Sequence, residues 1–223
     1  MIFADRREAG RSLAWRLDKY AARDNVIVLG VPRGGVPVAF QVAQALHAPL
    51  DVFLLRKLGV PGYEELAFGA IASGGVRVLE PRTVRECGIT EAQIAAITAR
   101  EQQELHRQEE LYRRGRPAAA LGGKTAILVD DGIATGASIL AGVRALRQLQ
   151  PARIVVAVPV APASTCKALA TQVDELICVA QPEPFGAVGR FYDDFRPVAD
   201  DEVIELLARN RDWLAATQKA PAA

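Results

Sequence analysis

The stretch Ala126-Ile127-Leu128-Val129-Asp130-Asp131-Gly132-Ile133-Ala134-Thr135-Gly136-Ala137-Ser138 decides how this chain is read. Four apolar residues run straight into two adjacent carboxylates. A loop of small residues with Thr and Ser hydroxyls then opens a helix. An uninterrupted apolar run is what a parallel strand covered on both faces requires, and in open parallel sheets ligands bind beyond the carboxyl ends of the strands. The free N–H groups of such a loop and helix start favour a phosphate. The carboxylates repel that phosphate, so they suit the next group along, sugar hydroxyls or a magnesium ion. Ribose bearing a 5′-phosphate satisfies both halves. The competing reading is a surface loop that collects Asp, Gly and Thr as caps. It leaves unexplained why two acids close an apolar run.

Outward from this stretch, strand-like and helix-like segments alternate. Strands are expected at Val26–Val31, Leu50–Leu55, Ala67–Ala72, Val76–Leu79, Thr125–Val129, Ile154–Val160 and Glu175–Val179. Helices are expected at Arg6–Ala22, Gly35–Leu46, Glu91–Arg114, Ser138–Leu149, Ser164–Thr171 and Asp201–Ala216. The alternation predicts an α/β fold, a largely parallel twisted sheet flanked by helices. At roughly 150 residues per domain, residues 1–223 form a single domain with an elaboration. The elaboration is a helical insertion at 88–117. Thr90 and Gln93 have capping-box spacing, with Ile89 and Ile94 placed as a hydrophobic staple. Glu109/Arg113 and Glu110/Arg114 are spaced i, i+4. The sparse apolar stripe Ile94, Ile97, Leu105, Leu111 lays this helix on the domain as packing, as a dimer contact or as a flap over the site.

Net charge is +1, which argues against a strongly basic nucleic-acid-binding surface. The three cysteines, Cys87, Cys166 and Cys178, form no CxxC pair, and His47 and His106 lie far apart, so neither a disulfide framework nor a zinc site is expected. The first eight residues carry charges where a signal peptide needs an apolar core. The longest apolar stretch, Ile154 to Ala163, is short and holds two prolines. A cytoplasmic protein with no membrane or nucleic-acid partner is expected. Gly122-Gly123-Lys124-Thr125 imitates the end of a P-loop, but Ala118 stands at the upstream glycine position and a strand follows.

The run 126–138 resembles the phosphoribosyl-diphosphate (PRPP) signature of type I phosphoribosyltransferases. Three further segments extend the resemblance over Val26 to Phe195. Val31-Pro32-Arg33-Gly34-Gly35 resembles the family's diphosphate loop, which often holds a cis peptide before the basic residue, here Pro32–Arg33. Leu54-Leu55-Arg56-Lys57-Leu58-Gly59-Val60-Pro61-Gly62, followed by Tyr63-Glu64-Glu65, resembles the mobile catalytic loop, most closely that of adenine phosphoribosyltransferases. Residues 181–200 resemble a small hood, in which Phe185, Tyr192 and Phe195 are placed to bind a base.

The resemblance implies PRPP binding by Asp130, Asp131, Gly132, Ile133, Ala134, Thr135, Gly136, Ala137 and Ser138. Diphosphate falls to Pro32, Arg33, Gly34 and Gly35, so that substitution of Gly34 is expected to harm diphosphate affinity more than ribose 5-phosphate affinity. Catalysis is assigned to Arg56, Lys57 and Asp131, with Glu64 or Glu65 for proton transfer. Mg2+ is expected on Asp130 and Asp131, directly or through ribose hydroxyls or water. Members acting on hypoxanthine or guanine carry an aspartate where this chain has Ala134, which disfavours a 6-oxopurine handled that way. The implied activity transfers 5-phosphoribosyl from PRPP to a nitrogenous acceptor, expected to be a nucleobase, and releases diphosphate. A homodimer is expected. The alternative is a PRPP-binding regulatory protein without catalysis, although only one helix precedes Val26.

Overall fold

The computed structural model describes residues 2–219. In chain order its elements are α1 (Arg6–Arg16), β1 (Val26–Gly30), α2 (Gly35–Leu46), β2 (Leu50–Val52), β3 (Leu55–Val60), β4 (Tyr63–Ala72), β5 (Val76–Leu79), α3 (Pro81–Glu86), α4 (Glu91–Arg113), β6 (Thr125–Val129), α5 (Ala137–Gln148), β7 (Arg153–Val160), α6 (Ala163–Ala170), β8 (Glu175–Ala180) and α7 (Asp200–Lys219). One parallel sheet runs β2-β1-β6-β7-β8, and a second, antiparallel sheet runs β3-β4-β5.

Every residue of β1 and β6 is buried. The alternation of strand side chains splits them between two cores. Val26 and Val28 join Leu13, Val38 and Leu207 of α1, α2 and α7, whereas Ile27 and Leu29 join Ile139 and Leu146 of α5. That two-sided burial is why these strands read as unbroken apolar runs.

The expected strand Leu50–Leu55 is in fact a corner. β2 ends at Val52, the Phe53 amide donates to the Gly30 carbonyl (2.9 Å), and the Leu54 amide turns to the Ser73 hydroxyl (3.1 Å). Leu55 then starts the antiparallel sheet. The segment expected as a mobile loop is strand β3, closed on β4 by a Pro61-Gly62 turn in which Gly62 takes φ +79°. Proline then glycine at the two central positions is the type II turn pattern. The helix expected to run to Ala22 ends at Arg16, and a 3-10 turn follows at Asp18–Tyr20. α3, six residues with proline in its first turn, has no apolar period to reveal it.

In α4 the capping box forms: Thr90 Oγ1 accepts from the Gln93 amide (3.3 Å), and Gln93 Oε1 accepts from the Thr90 amide (2.9 Å). Its far end is bolted to the sheet by buried Arg113, whose guanidinium reaches Asp51 (3.0 Å), Glu109 (2.8 Å) and the Val52 carbonyl (2.9 Å). The expected Glu110/Arg114 pair does not form among the described ion pairs. Arg114 leaves the helix in the left-handed region, and Glu110 meets His106 at 3.4 Å.

Candidate active site

The chain leaves β1 for β2 on one side and later returns to β6 on the other, so the strand order reverses between β1 and β6. Ligands bind at such a switch point. The register pairs Gly30 with Val129, and the Val31 amide extends the ladder to the Val129 carbonyl (2.9 Å). The loops 31–35 and 130–137 therefore leave the sheet side by side. The Pro32–Arg33 peptide is cis.

Glycine is what lets these loops touch. A Cβ on Gly34 would lie 2.0 Å from Asp131 Oδ2, and one on Gly35 would lie 2.8 Å from the Val129 carbonyl oxygen. Neither separation tolerates a side chain in the arrangement seen.

The acid pair divides. Among the described residues, the Asp130 carboxylate accepts one hydrogen bond, from the Asp131 amide (2.9 Å). Burial and the neighbouring Asp131 charge push it well above the usual carboxylate range. A half-buried carboxylate so thinly partnered favours an incoming cation or hydroxyl donor. The Asp131 carboxylate is instead engaged: Oδ2 accepts from Arg6 Nε at 2.8 Å. Burial raises Asp131 and Arg6 draws it back down. The expectation that both acids face the ligand alike thus meets a structure in which one is already paired.

Downstream, Ala134, Thr135, Ala137 and Ser138 are exposed. α5 begins behind Gly136, which sits at φ +80° and provides no side-chain cap. The first N–H groups of a helix lack intrahelical partners, so an oxyanion is the natural group to satisfy them.

Facing this loop is a cavity of about 510 Å³ lined by Asp130, Ser138, Arg56, Lys57, Glu64 and Arg100, among others. Arg56 and Lys57 do not act as a loose pair, because each is paired with a different carboxylate. Arg56 sends Nε (2.9 Å) and Nη2 (2.6 Å) to Glu101 of α4, and Lys57 sits 3.8 Å from Glu65 on the open side. Glu64 lines the cavity, whereas the Glu65 side chain is fully exposed.

The three hood aromatics expected at a base pack largely on one another and on the domain. Tyr192 is buried, its ring 5.6 Å from Phe3 and 5.1 Å from Phe195, and its hydroxyl donates to the Asp131 carbonyl. One face of Phe195 is covered by the Arg6 guanidinium at 4.0 Å. Phe185, half-buried, stacks on Phe191 at 5.0 Å. Two site residues were not visible in sequence: Arg6, one arginine among the charges opening α1, and Glu101, inside a helix whose motifs spoke only of capping and ion pairing.

The model of the phosphoribosyl transferase domain family matches residues 4–196 of this chain. Two Mycobacterium tuberculosis proteins, each named "Putative phosphoribosyl transferase", are 47% identical over 216 residues, 96% of this chain and 48% of theirs. The chain thus spans about half the length of the curated relatives it matches. The crystal structure of TT1426 from Thermus thermophilus is similar with a TM-score of 0.84 at 42% identity, covering 94% of this chain and 99% of that one. Among the described residues no helix is long and apolar enough to cross a membrane.

Proposed function

The chain belongs to the phosphoribosyl transferase domain family, and from that premise we propose that it transfers the 5-phosphoribosyl group of PRPP to a small nitrogenous acceptor. The observation that carries the reading is the pairing, at one switch point, of an underpartnered, half-buried carboxylate with an uncapped, exposed helix start. The 5′-phosphate takes the N–H groups at the start of α5, with Thr135 and Ser138 hydroxyls beside them. Asp130 takes the ribose hydroxyls. Loop 32–35 offers its backbone N–H groups to the diphosphate.

Among the described residues no cluster of three or more His, Cys, Asp or Glu side chains is arranged to hold a metal. That fits Mg2+, which keeps oxygen ligands and is commonly shared between one or two carboxylates and substrate phosphates. Asp130 would hold it, and bound there it would neutralise charge on the diphosphate.

In the reaction the acceptor nitrogen lone pair forms the bond to C1 while the C1–O bond breaks, and diphosphate leaves with the electron pair. Lys57, on the open side of the hairpin, meets that growing charge, and Arg56 adds to it from its seat on Glu101. Glu64, inside the cavity, receives the acceptor proton. The expected base contacts at Phe185, Tyr192 and Phe195 give way in this reading to the polar wall of the cavity, so the acceptor is held by hydrogen bonds more than by stacking.

The test is acceptor-dependent diphosphate release from PRPP and Mg2+, measured over a panel of nucleobases and other nitrogen nucleophiles. Release with at least one acceptor and none without it is the expected result. PRPP binding with no release for any acceptor would make the chain a sensor, and no PRPP binding at all would end the proposal.

A further inference from the structure

Arg6 lies outside every segment that carries the signature, yet it touches one of the signature's acids. It begins α1, and its backbone is fixed by the Asp5 cap, whose carboxylate accepts from the Glu8 amide at 2.8 Å. From there the guanidinium makes three contacts. Nε reaches Asp131 Oδ2 (2.8 Å), Nη1 reaches the Arg196 carbonyl (2.9 Å), and the plane lies 4.0 Å from the Phe195 ring centre. The Arg6 and Asp131 side chains are 11% and 14% exposed.

The hood is stitched to the same N-terminal segment. The Phe3 amide donates to the Phe191 carbonyl (2.8 Å), the Asp193 amide to the Phe3 carbonyl (2.8 Å) and the Asp194 amide to the Ala4 carbonyl (2.9 Å). The Tyr192 hydroxyl closes the circuit on the Asp131 carbonyl. The hood's own Arg196 and Asp194 occupy each other: Arg196 forks onto Asp194, with contacts as short as 2.6 Å. On its other side the Asp131 carboxylate abuts Gly34.

We propose that Arg6 is a positioning residue of the ribose site, clasping the hood and the N-terminal segment to Asp131, so that Asp131 acts through this clasp while Asp130 takes the ligand. The proposal rests on the PRPP reading above. Its support is a division already present in the geometry: Asp130 lines the cavity with Ser138, whereas Asp131 faces Arg6 and Gly34. Removing Arg6 frees the Asp131 carboxylate and loosens the hood, and both changes unsettle the loop that begins at Gly132.

A double-mutant cycle tests it. Arg6→Gln, Asp131→Asn and their combination are titrated calorimetrically with ribose 5-phosphate and with PRPP–Mg2+, and hydrogen exchange is followed at the Phe3, Asp193 and Asp194 amides. Each single change is expected to weaken ribose 5-phosphate about tenfold, the scale of one lost charged hydrogen bond. The double change should be no worse than either single one, since both remove the same contact. Arg6→Lys should restore part of the affinity, and it replaces Arg6→Gln in the cycle should that variant not fold. Exchange at the three amides should rise in both single variants but not in Asp130→Asn. Additive losses would mean that Asp131 binds the ligand directly, and wild-type affinity in Arg6→Gln would mean a passive ion pair; either overturns the proposal. Should the unmodified protein bind neither ligand, the transferase reading falls by itself, and unchanged hood exchange in Arg6→Gln still overturns the clasp.

Discussion

Replacing Gly34 with alanine sets a small backbone gain against the geometry of the site. Gly34 sits at φ −60° and ψ −33°, a helical conformation that alanine adopts without strain. On backbone grounds Gly34→Ala should stabilise the fold by about 0.4–1 kcal/mol, because the unfolded chain loses freedom. The added methyl, however, would stand 2.0 Å from Asp131 Oδ2 and 2.8 Å from Asp131 Cγ, with Arg6 Nε at 3.3 Å. The obstacle is the end of a short side chain, so the carboxylate rotates away and the fold survives. To reach ordinary contact it must move roughly 1.4 Å, which the 2.8 Å bond to Arg6 does not withstand.

Losing that charged hydrogen bond costs about 1.5–3 kcal/mol, or about 10- to 150-fold in affinity if the loop depends on it. Calorimetric titration with ribose 5-phosphate and with diphosphate, beside a thermal melt, reads the three quantities separately. The expectation is a lower melting temperature, because the lost bond outweighs the backbone gain, with weakened binding of both ligands. This reverses the ligand-selective effect expected from sequence, because the methyl strikes the acid that steadies the ribose loop. A Gly34→Ala protein that binds ribose 5-phosphate like the unmodified chain would mean that the Asp131 carboxylate does not steady the ribose loop.

Lys57→Ala removes a half-exposed cation whose acidic neighbour, Glu65, stands 3.8 Å away. It should leave the melt unchanged and cut kcat by about 10²–10³ with little change in PRPP dissociation constant, as for loss of one oxyanion donor; steady-state kinetics with a binding titration checks this, and a normal kcat contradicts it. Arg113→Ala strips Asp51 and Glu109 of a buried partner and should lower unfolding free energy by about 3–5 kcal/mol, read from a denaturant midpoint; a midpoint at the native value contradicts it. Burial pushes the Cys178 thiol up to about 12 and raises that of Cys166, while Cys87 is exposed. A raised value means less thiolate, about one part in 10⁴ for Cys178 at pH 8, so a thiol reagent should label one cysteine per native chain and three only in denaturant.

How much of this was open to the sequence depends on the range of the interaction involved. β1, β6 and β7 announce themselves because burial on both faces demands apolar residues along their length, Thr125 and Arg153 at the starts of β6 and β7 apart. The acid pair and the glycines are equally legible, since they follow those strands at once and their chemistry is local. Leu55–Val60 reads as a charged turn, for its strand character comes from pairing with β4 and carries register shifts at Gly59, where a Cβ would lie only 2.8 Å from the Glu64 carbonyl oxygen. Arg6 was hidden for a different reason. Its partner Asp131 lies 125 positions along the chain, and nothing near residue 6 distinguishes it from the other arginines of α1. The hood aromatics were expected at a base because of the resemblance; in the structure Tyr192 spends its ring on Phe3 and its hydroxyl on the Asp131 backbone.

Everything proposed for this site turns on Asp130 meeting a ribose that carries phosphate. The most direct measurement is therefore calorimetric titration of PRPP–Mg2+ into the unmodified chain and into Asp130→Asn, with a melt to show that both are folded. Binding by the unmodified chain is expected, with a loss of about 1.5–3 kcal/mol, or about 10- to 150-fold, in the variant. Equal affinity in a folded Asp130→Asn protein, or no binding to the unmodified chain, contradicts that expectation.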